Sequence, residues 1–171
     1  IVWLRQLAHR RRMEGDLEGA KRAVDEALEI VKREATPEAN VLGQYILASH
    51  LDEAEKDYAG ALREFRNGLG SAHSQGSEWE TTFGLTGVAR MLAYIGEHER
   101  AALLLGAAAA MQEKVGMLPQ GPRAEAQRKV TEVLGNAHGE VELQHLRKEG
   151  PALSLDEALA LAPDAANRAS K

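Results

Sequence analysis

The stretch GEHERAALLLGAAAAMQEKVG, Gly96–Gly116, begins with Gly and a few polar residues and then runs into Ala and Leu with almost no bulk. It reads as a turn followed by a helix that gives up side-chain volume. The same phrase occurs earlier in the chain. Gly96-Glu-His-Glu-Arg-Ala101 aligns with Gly15-Asp-Leu-Glu-Gly-Ala20 and with Lys56-Asp-Tyr-Ala-Gly-Ala61, which sets the three alanines 41 and 40 residues apart. A helical stripe follows each: Ala20, Val24, Ala27 and Val31; Ala61, Phe65, Gly68 and Ala72; Ala101, Leu105 and Ala108, with Gln112 departing from the pattern in the last place. Twelve residues before each alanine stands another small residue, Ala8, Ser49 or Ala89.

Two antiparallel helices joined by a tight turn approach closely where both present small side chains. The spacing therefore predicts helix pairs, each with small rows facing inward. The larger residues (Leu4, Leu7 and Val24; Tyr45, Leu47 and Phe65; Leu85, Val88 and Leu105) would then fill the space between layers. A single hairpin cannot bury its apolar face alone, so the pairs are expected to stack. The expected helices are 2–14, 17–34, 37–54, 57–74, 77–95, 97–115, 122–135, 138–149 and 154–162, with breaks at Gly, Pro and polar clusters. Thr36-Pro37 carries the signal of an N-cap followed by proline. Ser154 and Glu157 have capping-box spacing. The expected organisation is three hairpins (1–35, 36–75 and 76–116), C-terminal capping helices over 117–163, and a frayed tail over 164–171. The fold class is all-α, a right-handed superhelix of antiparallel helix pairs.

Composition narrows the function. The 171 residues are 44% hydrophobic but only 4% aromatic, which suits a core of Ala, Leu and Val. A net charge of −5 argues against nucleic acid as a partner, because phosphate binding needs a basic face. There is no cysteine, which removes disulfides and thiolate metal sites and fits a cytoplasmic chain. The longest apolar run, AALLLGAAAAM, falls well short of the ~20 residues of a membrane helix, and no signal peptide is visible. The chain opens with Ile1 inside a helical pattern, so a longer parent is expected.

The helix–turn–helix unit, with a small residue in each helix and Gly-Asp-x-x-x-Ala at the turn, resembles a tetratricopeptide repeat. The period of 40–41 exceeds the usual ~34. Arg11, Asp52 and Leu92 stand where a bulky aromatic would close the first helix, and the Trp-Leu-Gly opening is absent. Further on, LTGVARMLAYIGEHERAALLLGAAAAMQEKVG, then PRAEAQRKVTEVLG, then KEGPALSLDEALALA resemble the C-terminal helical region of large bacterial signalling ATPases. These are multidomain transcriptional regulators of LuxR or MalT type, and related chains with nucleotide-cyclase domains. The resemblance covers roughly 82–162. It implies an interaction or sensor arm that relays a protein, peptide or inducer to domains outside this stretch. Neither a phosphate-binding G-x-x-x-x-G-K-[ST] loop nor room for a helix-turn-helix domain after Ala162 is present.

The first helix of each unit is expected to line a concave surface. Equivalent positions there read Arg5, Ile46 and Thr86; His9, His50 and Arg90; and Arg12, Glu53 and Ala93, with Tyr94 beside the last row. The His9–His50–Arg90 row is either a stripe for an acidic or polar peptide or plain solvated groove. Arg10, Arg11 and Arg12 read either as an anion or partner contact or, preferred, as a solvated helix face that once met a preceding unit. Val2 and Trp3 would leave the N-terminal end sticky and open to self-association or to a neighbouring domain.

Catalytic chemistry is not expected. There are six histidines but no His-Glu-x-x-His pattern. Glu142 and His145 have a spacing known from di-iron bundles, but no second motif of that kind accompanies it. Ser71, Ser74 and Ser77 near His73 read as helix-end residues. No cofactor or metal is assigned. Two alternatives to the interaction arm stay open: a spacer or oligomerisation module without ligand, and, more remotely, a small helical metal-dependent enzyme.

Overall fold

The computed structural model describes residues 1–116 and 122–161. These are all-helical, with no strand among the described residues. The helices are α1 (Val2–Met13), α2 (Leu17–Glu34), α3 (Pro37–His50), α4 (Tyr58–Ser74), α5 (Glu78–Tyr94), α6 (His98–Lys114), α7 (Pro122–His138), α8 (Glu140–Glu149) and α9 (Leu155–Ala160). A π-helical turn, Leu51–Glu55, continues α3, and a 3₁₀ turn, Gly150–Ala152, follows α8. From α1 to α6 each helix packs on its neighbour in sequence. Helix α7 lies on α5 and α6, while α8 and the 3₁₀ turn lie on α6. The tail expected over 164–171 and the link 117–121 fall outside the described residues.

The helix starts follow local chemistry. The side chains of Asp16, Thr36, Asp57 and Ser77 accept from the backbone N–H three residues on, at 2.8, 3.1, 2.8 and 3.4 Å. Each satisfies a donor that the first helical turn leaves unpaired. Ser154 and Glu157 form the reciprocal capping box, and the Ser154 hydroxyl and N–H hold the Glu157 carboxyl below its ordinary pKa. At the three related turns Gly15, Lys56 and Gly96 all take positive φ (82°, 57° and 87°), each five residues before its alanine. Lysine meets a steric penalty there that glycine avoids.

Two expected boundaries move. The chain does not stay α-helical to residue 54 but widens to π geometry after His50, and the Asp57 N–H reaches back to the Leu51 carbonyl at 3.0 Å. Helix α7 does not stop at Gly135. Val130 and Leu134 are buried in the core and hold it in register, and the break waits for Gly139, whose φ is +75°.

The small residues explain the packing. Ala8, Ala20, Ser49, Ala61, Ala89 and Ala101 are all buried. Tyr45 is fully buried at the meeting of α3, α4 and α5, with its ring 6.0 Å from Phe65 and 4.9 Å from Phe83. Its hydroxyl donates to the Glu80 carbonyl at 2.8 Å, and burial, together with the Glu80 charge, pushes its pKa up. A methyl on Gly68 would strike the Tyr45 ring; one on Gly84 would strike its hydroxyl and the Leu69 backbone; one on Gly87 would strike Phe65. In the Ala-rich α6, a methyl on Gly106 would run into the Arg147 carbonyl of α8, and Gly150 sits equally close to the Leu103 carbonyl. Helix α6 is poor in bulk because α8 and the 3₁₀ turn lie against its backbone.

Two glycine substitutions separate packing from propensity. Gly70 of α4 faces open space, so Gly70→Ala should stabilise by about 0.5–1 kcal/mol through helix propensity alone. Gly106→Ala carries the same propensity gain but must lower the thermal midpoint, by about 3–8 °C for an overpacking cost of roughly 1–3 kcal/mol. Equal upward shifts in both variants, measured by circular dichroism melting, would show that α8 does not touch α6 closely.

Candidate functional site

The nine residues expected on the concave surface meet different fates. Ile46 is a core residue, buried with Leu4, Ala8, Ala23, Val24 and Ala27, and offers nothing to a ligand. Ala93, from the same alignment, is buried as well. Thr86 donates its hydroxyl to the Thr82 carbonyl of its own helix at 3.0 Å. Tyr94 is half-buried with its ring 5.0 Å from Tyr58, and burial raises its pKa against the pull of Arg90. Arg5 reaches from α1 across to α5, its guanidinium carbon 5.3 Å from the Phe83 ring centre.

The remaining residues converge on the end of α3. Arg12 donates from Nε to Glu53 Oε2 at 2.7 Å, and its Nη2 lies 2.6 Å from the same oxygen. His9 Nδ1 lies 3.3 Å from that oxygen. Asp52, the preceding residue, pairs with Arg90 of α5 at 2.7 Å. Consecutive residues point in diverging directions around a helix. Asp52 therefore faces α5 while Glu53 faces α1. Arg90 also packs its guanidinium carbon 5.6 Å from the Phe65 ring centre, a cation–π contact. His50 is 7% exposed, with Nε2 3.3 Å from Glu55 Oε1 and with no hydrogen-bond partner for Nδ1 among the described residues.

These pairs clamp the end of α3 to α1 and α5. His9, His50 and Arg90 each answer a different carboxylate. The charges of Arg12 and Arg90 are balanced by Glu53 and Asp52. Arg12, expected on a solvated face, has a side chain only 7% exposed. Arg11 is likewise engaged, donating to the Gly19 carbonyl at 3.2 Å. Burial dominates at Asp52 and lifts its carboxyl above the ordinary pKa, against the pull of Arg90. Burial is also the largest influence on Glu53, but Arg12, His9 and Arg90 together outweigh it, and the carboxyl titrates below its ordinary value.

Asp52 is absent from the sequence-derived site. Its signal was available: an acid standing where a repeat would place a core aromatic needs a buried cation, and Arg90 supplies it.

The other chemical candidates resolve into local structure. Ser74 donates to the Ser71 carbonyl at 2.8 Å, Ser77 caps α5, and His73 Nε2 lies 3.6 Å from Asp156. His145 pairs with Glu149 at 3.5 Å; the side chain of His138 lies outside what the structure describes. Among the described residues no three His, Asp or Glu side chains gather as metal ligands. A cavity of about 190 Å³ between α5, α6 and the 150–158 segment is lined mostly by apolar side chains, including Leu85, Met111 and Leu153. It lies below the ~300 Å³ at which ligand pockets usually begin. No described helix is long and apolar enough to cross a membrane.

Comparison with known proteins finds no matching family model, no matching curated protein and no matching solved structure. The site is therefore read from its own geometry. Several large apolar side chains of the first hairpin are exposed, Trp3 at 66% and Met13 at 76%, with Val2 and Leu17 about half exposed; Trp79 and Val141 are exposed elsewhere.

The Glu53 clamp has a pH signature. Because its folded pKa is lowered, its contribution is present above the unfolded value near 4.5 and fades as pH falls through the folded value. Glu53→Gln should cost about 1–3 kcal/mol at pH 7, and urea titrations should show that cost shrinking steadily below pH 4. A penalty independent of pH would mean that the carboxylate charge is not what holds Arg12.

Proposed function

We propose that this chain is a contact module: the interaction or sensor arm of a larger cytoplasmic bacterial signalling ATPase or transcriptional regulator. In this reading the pairs 1–35, 36–75 and 76–116 stack as a right-handed, tetratricopeptide-like superhelix, and the helices after residue 117 cap it. What supports the architecture is the recurrence of one turn, with positive φ at Gly15, Lys56 and Gly96 and a buried alanine five residues later. What supports the parent is the resemblance of residues 82–162 to the helical regions of such regulators.

The observation that carries the function is the exposure of large apolar side chains on the first hairpin. Trp3, Val2, Met13 and Leu17 are all exposed, and apolar side chains left bare in this number mark a candidate contact site. The partner is a protein, a peptide or a neighbouring domain of the same parent; neither nucleic acid nor a membrane is part of the proposal. Binding there would be relayed by small shifts in how α1–α2 sits on α3, because each helix leans chiefly on its sequence neighbours. The internal pairing of the concave row favours a second reading, a spacer without ligand, and moves the contact surface from the groove to the end.

Trp3 is the aromatic anchor in this reading. Affinity capture with this chain as bait, followed by titration of the captured protein, should show Trp3→Ala weakening binding roughly 30-fold or more. Thr86→Ala should leave it unchanged. Equal affinities for wild type and Trp3→Ala would remove the end surface, and failure to capture any protein would leave the spacer in possession.

A further inference from the structure

We infer that the first hairpin, α1 with α2, is a detachable lobe that two copies of this chain exchange to form a closed, two-fold dimer. The inference concerns the inner face of the hairpin and holds whatever the outer face binds.

Three observations converge on it. The core is divided. Leu4, Ala8, Ala23, Val24 and Ala27 form a cluster of their own, to which the rest of the chain contributes Ile46. The larger cluster begins at Val41 and contains no residue of α1 or α2. Next, polar side chains also tie α1 to the body beyond α2, with Arg12 and His9 on Glu53 and Arg5 over Phe83. Such pairings form at full strength between two chains if the geometry is kept.

The third observation is the hinge. Only Ala35 and Thr36 separate α2 from α3. Ala35 sits at φ 50°, ψ 30°, a left-handed conformation that costs a residue with a Cβ about 1–2 kcal/mol. Thr36 is extended, as the following proline requires. Release of Ala35 to its preferred region swings the hairpin away and relieves that strain. A second copy then presents the same seat, with Ile46, the open face of Gly43 and the Glu53 carboxylate in unchanged positions. The interactions broken within each chain re-form between the two, so the exchange costs little beyond association itself. Short hinges under strain invite this outcome.

The seat allows a direct test. The Val31 Cβ lies 3.5 Å from where a Cβ on Gly43 would stand, within the separation a disulfide spans. The chain has no cysteine of its own. A Val31→Cys/Gly43→Cys chain also removes the valine methyls that crowd that position. It is incubated over a hundredfold range of concentration, diluted, oxidised and run without reductant. Exchange predicts a covalent dimer whose fraction rises at least tenfold with the incubation concentration and whose links join position 31 of one chain to position 43 of the other. Links within single chains at every concentration would overturn the inference.

Hinge variants and the unaltered chain give independent readings. Ala35→Gly, which removes the left-handed strain, should lower the dimer fraction severalfold by light scattering, and Ala35→Val should raise it. A dimer fraction indifferent to both changes would count against exchange. If the double-cysteine chain does not fold, hydrogen exchange of the wild type decides. Residues 2–34 should exchange as one block at least tenfold faster than α4 to α6, and uniform protection would contradict a detachable lobe.

Discussion

Tyr45 lies against Gly68 of α4 and below Gly84 of α5, and its hydroxyl reaches the Glu80 carbonyl, so one side chain from α3 spans three helices. The arrangement exists because two positions have no Cβ. A buried ring needs room, and in a close-packed interior that room comes only from missing bulk elsewhere. The same constraint recurs where Gly87 admits Phe65 and where Gly106 admits the backbone of α8. The alanines of the repeated turns extend it along the chain. With so few aromatics, their placement opposite glycine sets the distances between layers.

Charge completes what packing begins. Apolar contacts are non-directional and would allow neighbouring first helices to slide. Asp52 and Glu53 face opposite ways from one turn and take hold of Arg90 and Arg12 on the two flanking helices. Each arginine is largely buried, and a buried cation without its carboxylate is costly. The pairs therefore specify register more than they add stability. They also engage Arg12 and Arg90 within the chain, which is why the proposed contact surface is placed on the first hairpin.

Much of this was legible from residues alone. The starts at Thr36 and Ser154 were readable as caps with a local mechanism, whereas Asp16 and Asp57 stood only as part of the repeated turns and show their capping role in the structure. The small rows were readable because Ala8, Ser49 and Ala89 keep one offset from their turns. The site was less so. Assigning Ile46 to a groove assumed that every first helix presents the same face, whereas Ile46 meets the first hairpin's own cluster. The π-helical turn could not be anticipated, since the spacing from Ser49 to Ala61 equals that of the regular units. Gly135 looked like a break because glycine weakens an isolated helix; Val130 and Leu134, buried in the core, override that weakness.

The central claim is that missing bulk at specific positions fixes the distance between helices, and the Tyr45–Gly68 contact tests it most directly. Gly68→Ala is to be measured by urea denaturation in the wild-type chain and in a Tyr45→Leu background. In the wild type the added methyl meets the ring and should cost roughly 1–3 kcal/mol. With the ring removed the same change should become neutral or stabilise by up to about 1 kcal/mol, as alanine does in a helix. An identical penalty in both backgrounds would contradict the account.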